Sequence, residues 1–274
     1  MKTDPKINAL LSLLQDDNPK VASLAMEQFL KLDQVADETI ATYQDCHDPQ
    51  LRQRIHQMSS IRGRRRARKE FLHGVEESCM SVWDGLRRIN RLYDPQCDVD
   101  MLSRKIRELR RDAGGNLGNT AQVASYMREQ GFAVPQEAML EVDLYLTDSV
   151  LESMYGSSVL LCALAQHLGR HCGGWESTIS LYEGRFCLVD AGNVALEPIG
   201  GWRITKLEPS RNLHPCSRQD VWMAVLTQLF LVALVEGDLR DLYFFGDLLT
   251  ALNGDDVEVL PYPLGDEDRP QPQE

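Results

Sequence analysis

The apolar pattern changes period at Gly173-Gly174, and that change restricts the folds open to this chain. Before it, residues 159–168 form an apolar run of helical length, entered through Gly156-Ser157-Ser158, where either serine can cap the first turn. After it, Thr178, Ser180 and Tyr182 alternate with Ile179 and Leu181, Glu183-Gly184 makes a tight turn, and Phe186 and Leu188 lead into Val189-Asp190. That spacing predicts a β-hairpin over residues 178–189. A further strand is expected near residues 202–207, and the chain reads as α+β, mostly helical.

The rest of the chain is helical in pattern. Apolar residues from Ile7 to Leu32 keep helical spacing on both sides of Asp16-Asp17-Asn18-Pro19, which predicts two antiparallel helices. Asp17 or Asn18 can cap the second, with Pro19 in its first turn, where a missing N–H is harmless. Asp48-Pro49 repeats the punctuation before Leu51, Ile55 and Met58, so the start resembles a short HEAT-like cap of stacked helical hairpins. Residues 71–92, 98–111 and 120–130 read as further helices, with Thr147 or Asp148 capping a short one through Leu151. Gly114 to Asn119 is a linker, since no strand precedes it and no Lys-Ser/Thr follows. Residues 220–235 and 239–252 form a final helical pair before a proline-rich, acidic tail that composition marks as disordered. The expected division is 1–112 helical, 113–210 core, 211–254 helical pair and 255–274 tail.

Charge narrows the partners. The net charge is −12, but residues 1–112 hold 20 Lys/Arg against 18 Asp/Glu, leaving 9 against 23 for the remainder. The acidic part repels nucleic acid and anionic membrane, so neither is expected as a partner. The basic group Arg62, Arg64, Arg65, Arg66, Arg68 and Lys69 reads as a solvated or internally paired face in a helix-to-helix connection. Apolar runs look too short for a membrane span, and the acidic and proline interruptions of MKTDPKINALL do not suit a signal peptide. Seven cysteines without regular spacing fit reduced thiols, and the location expected is cytoplasmic.

The segment Tyr145-Leu146-Thr147-Asp148-Ser149-Val150-Leu151-Glu152 resembles the Tyr-Leu-Asn-x-Val-Leu-Glu lead-in of the bacterial SirB-type branch of the transglutaminase-like superfamily, with one extra residue, and Gly156 its following glycine. The leading Asp-Asn-Pro and Asp-Pro turns, and the closing LFLVALVEGDLRDLYFFGDLLTALNGDD with its tetratricopeptide-like pair, are similar to that family in order. The resemblance implies a transglutaminase-like (papain-like) core. Its nucleophilic cysteine would start the buried helix, which here offers Ser158, or near Met154 if the helix is anchored on Leu168-Gly169. Its histidine would fall at Glu176 or Ser177, and its orienting acid at Asp190. Only the acid is in place, so the resemblance implies a degenerate site.

Other residues compete for a chemical role. Cys162 sits in the apolar run as a core thiol. His167 and His171, four apart beside Cys172, have the spacing of a helical metal pair, but His171 is expected past the helix end and no acidic third ligand is near. Cys187 and His214 could meet in space. Neither a cofactor nor a metal is expected. The function these residues suggest is non-catalytic protein interaction or scaffolding. The alternative is a hydrolase or acyl-transfer enzyme with Ser158 as nucleophile and Glu176 or Asp190 as base.

Overall fold

A computed structural model describes residues 5–136, 140–208 and 212–254; the expected acidic tail at 255–274 lies outside them. The chain forms two compact units, Met1–Glu70 and Phe71–Glu274. The boundary falls inside a long helix rather than at residue 112.

The first unit holds α1 (Pro5–Leu14), α2 (Pro19–Leu30), α3 (Asp33–Tyr43) and the start of α4 (Pro49–Glu76). Asn18 caps α2 by accepting from the Lys20 amide at 3.0 Å, with Pro19 next to it. The Asp48 carboxylate accepts from Gln50 and Leu51 at the start of α4. Its own core gathers Ile7, Leu10, Leu14, Phe29, Ile55 and Met58. The basic group belongs to α4 itself, not to a connection. Arg62 and Arg66, one turn apart, both pair with Asp37, at 2.8 and 3.1 Å.

The second unit continues from α4 through a break. The run expected over 71–92 is interrupted at residues 77–81, and Ser81 caps α5 (Val82–Tyr93) by accepting from the Asp84 amide. Then come α6 (Val99–Ala113), α7 (Thr120–Glu129), a 3-10 turn at Val142–Tyr145, α8 (Thr147–Ser153) and α9 (Ser158–Gly173). Gly114, left-handed at φ 56, closes α6, and Asn119 caps α7, as suits a linker. Gly173 has no room for a side chain, since a Cβ there would meet the Leu117 carbonyl carbon at 2.1 Å.

The hairpin forms as expected: β1 (Ser177–Tyr182) pairs antiparallel with β2 (Arg185–Asp190), in register from Ser177 opposite Asp190 to Tyr182 opposite Arg185. Strands β3 (Val194–Glu197), β4 (Arg203–Lys206) and β5 (Leu213–Pro215) complete an antiparallel sheet of order β4-β3-β2-β1-β5. Of these the pattern indicated only β4; β3 and β5 carry no alternation that marks them as strands. Against the sheet lie α9, beside β1 and β2, and α7, beside β3 and β4. Helices α5, α6 and α10 (Arg218–Glu236) also pack on α9, which explains why its first two turns, residues 159–165, are buried without interruption. The last helix, α11 (Leu239–Asn253), is the partner of α10. Contrary to the sequence expectation, α10 is long and apolar enough to cross a membrane, although 44% of its apolar window is buried inside the fold.

Two capping expectations fail. Ser157 occupies the position before α9, but its hydroxyl makes no capping bond and is buried without a partner; Ser158 is the first helical residue. Neither Thr147 nor Asp148 caps α8. That work falls to Asn90 of α5, whose side-chain oxygen accepts from the Asp148 amide at 3.1 Å and the Thr147 hydroxyl at 3.0 Å.

Candidate functional site

The structure does not bring the positions implied by the resemblance, Ser158, Glu176 or Ser177, and Asp190, together as a triad. Asp190 ends β2 directly across from Ser177 on β1, so the sheet register does bring the acid beside one candidate base position. Its carboxylate is already occupied: Thr120 donates its hydroxyl at 2.5 Å, and the Gly192 and Val194 amides donate at 2.8 and 3.0 Å. Burial pushes its pKa up, yet these three donors outweigh that and hold it below the usual carboxylate value. Glu176 is exposed and loosely paired with Arg170 at 3.8 Å. The residue of α9 that reaches this end of the sheet is Gln166, whose amide donates to the Ser177 carbonyl at 2.7 Å. Ser158 lies eight residues earlier, about 12 Å back along the helix.

Burial also acts on the thiols in and around the core. Burial drives Cys162 well above its ordinary value, Cys187 to about 11, and Cys172 and Cys216 upward as well. Cys187 does not meet His214. It sits opposite Ser180 on one side of β1, while His214 sits opposite Leu181 on the other, so strand alternation sends the two side chains to opposite faces.

His167 and His171 are brought together, because α9 runs on to Gly173 and holds both in helix, correcting the expected stop near Gly169. Their ring centroids are 4.4 Å apart, and His171 Nδ1 donates to the His167 carbonyl at 2.8 Å. His167 Nε2 accepts from Arg110 Nη2 at 2.6 Å. Burial is the main cause that lowers the His167 pKa to about 3, with His171 and Arg110 adding to it. A neutral ring with Nε2 as acceptor is what that bond requires. No trio of His, Cys, Asp and Glu able to hold a metal occurs among the described residues.

Two adjoining clefts open on either side of this pair. One, of about 750 Å³, is walled by α5, α6 and α9 and lined by Arg87, Arg107, Arg110 and Arg170 with Asp84 and Asp100. Its neighbour, of about 390 Å³, reaches Trp83, Trp175, Ser177 and Arg218. Three polar atoms on these walls are buried without a hydrogen-bond partner: Arg110 Nε, Trp175 Nε1 and Ser177 Oγ. An unmet buried donor of this kind costs about 1–3 kcal/mol. Sequence reasoning passed over the arginines, although Arg107 and Arg110 stand three residues apart on α6 and so share a face.

With this geometry in view, comparison of the chain with protein-family models, with curated proteins and with solved structures returned no match.

Proposed function

We propose that the protein is a non-catalytic, cytoplasmic protein-interaction module built on a degenerate transglutaminase-like core. The observation that carries this reading is the Asp190 carboxylate. In a working core it would orient an imidazole, whereas here Thr120 and two turn amides take its oxygens and Ser177 stands opposite. The order of buried helix, hairpin and closing helical pair supports the resemblance. Interaction is supported at the turn between α10 and α11, where Val235, Leu239 and Tyr243 are 75%, 56% and 50% exposed.

The test is covalent labelling of the native and the urea-unfolded chain with serine- and thiol-directed probes. The expected outcome is labelling of Ser158, Cys162 and Cys187 no faster in the folded state than in the unfolded. Stoichiometric labelling of one of them in the native protein, abolished by Asp190→Asn, would establish an activated nucleophile and replace this reading with the Ser158 hydrolase or a cysteine enzyme.

A further inference from the structure

We infer that the cleft bounded by α5, α6 and α9 binds a phosphate dianion, free or esterified, with Arg110 at its base and Arg87, Arg107 and Arg170 around it. The inference is independent of whether the core is catalytic. Its first ground is charge. In a chain of net charge −12, four guanidinium groups line this cleft with only the carboxylates of Asp84 and Asp100 among them, a local excess of two positive charges. The carboxylates that approach these arginines do so loosely: Asp84 lies 4.0 Å from Arg87, and Glu176 lies 3.8 Å from Arg170 in an exposed pair. Pairs this long and this wet hold little energy and yield readily to a better-placed oxyanion.

The second ground is Arg110. Its guanidinium is half-buried and, among the described residues, its side-chain hydrogen bond is to a neutral imidazole nitrogen, which offers a lone pair but no charge. Its Nε is buried without a partner, and no carboxylate pairs with it among the described residues. A planar fork with unspent donors is suited to an oxyanion, which can accept two parallel N–H bonds from it. Arg107 and Arg87 flank it, each tied by one bond to Ser103, Arg107 Nε to the carbonyl at 3.2 Å and Arg87 Nη2 to the hydroxyl at 3.1 Å. Those bonds fix the two side chains while leaving other N–H groups for a ligand. A dianion matches the excess of two charges, where a single carboxylate would leave one uncompensated. The volume, about 750 Å³, suits a small ligand, and the acidic remainder of the chain opposes a long polyanion.

The test is isothermal titration calorimetry of the full chain at constant ionic strength, first with inorganic phosphate and then with O-phosphoserine. Saturable binding is expected, weakened by about tenfold or more in Arg110→Gln. Arg107→Gln, a change at an exposed position, should weaken it too and decides the matter if the Arg110 variant does not fold. Tighter binding of the ester than of phosphate assigns the site to an esterified ligand, and equal or weaker binding assigns it to the free ion. No saturable heat with either, or undiminished affinity in the folded Arg107 variant, overturns the inference.

Discussion

His167 shows how placement sets the chemistry of one residue. Its ring is neutral because α9 buries it beside Arg110 and His171, which together overcome the opposite pull of Asp84. The folded value is depressed to about 3 from 6.5, so the unfolded chain takes up the proton first. The stability this group contributes is therefore complete above pH 6.5 and drains as the pH falls from there toward 3. From linkage, the loss between about pH 8 and about pH 5 is about 2 kcal/mol. His167→Gln, which keeps an acceptor for Arg110, should lose that much less over the same range in urea unfolding. Parallel pH profiles for the two proteins would contradict this. Asp190 acts in a lower window, since its lowered pKa contributes stability that disappears only as the pH drops below about 3.8. Its turn-binding role was legible in Asp190-Ala191-Gly192-Asn193, because a carboxylate two residues before a glycine amide is a local arrangement. The neutral state of His167 was not, because Arg110 lies on another helix.

At the scale of elements, the link between α5 and α8 is the instructive one. The short helix α8 starts after Leu146, which has no side chain able to cap it, and the missing acceptor comes from Asn90, fully buried on α5. Asn90 accepts from the Thr147 hydroxyl and the Asp148 amide, and its own amide donates to the Asp148 carboxylate at 2.8 Å. Its side-chain oxygen and nitrogen are thus both engaged inside the protein. Asn90→Ala removes three bonds and strands a buried amide and hydroxyl, for an expected loss of about 2–3 kcal/mol in chemical denaturation. A loss below about 0.5 kcal/mol would show that α8 stands without this cap. The neighbouring contact is steric: a Cβ on Gly85 would fall 2.1 Å from the Trp222 indole nitrogen, so α5 and α10 approach only where the side chain is missing.

At the scale of the whole molecule, the division into two compact units, the first with an apolar cluster of its own, makes a specific spectroscopic prediction. All four tryptophans, Trp83, Trp175, Trp202 and Trp222, belong to the second unit and are buried. Their emission reports that unit alone, while far-ultraviolet circular dichroism reports helices in both. Phe29 is fully buried in the first unit, and Phe29→Ala should cost about 3–5 kcal/mol there. The expected result is a dichroism transition that moves to lower urea while the tryptophan transition keeps its midpoint. Equal shifts in both signals would show that the units unfold as one.

The sequence by itself determined what is settled within a few residues. The period change at Gly173-Gly174 placed the hairpin, Asn18-Pro19 placed the start of α2, and the apolar runs placed α9, α10 and α11, because main-chain hydrogen bonds and side-chain spacing repeat along a single segment. The same reasoning could not find β3 or β5, whose pairing is supplied by neighbouring strands. Nor could it assemble the cleft. Arg110 meets His167 across 57 residues, Asn90 meets Asp148 across 58, and Thr120 meets Asp190 across 70. Those meetings join α6 to α9, α5 to α8 and α7 to β2, and only that packing decides which charges are buried, which donors are left unmet and which carboxylate is spent on a turn.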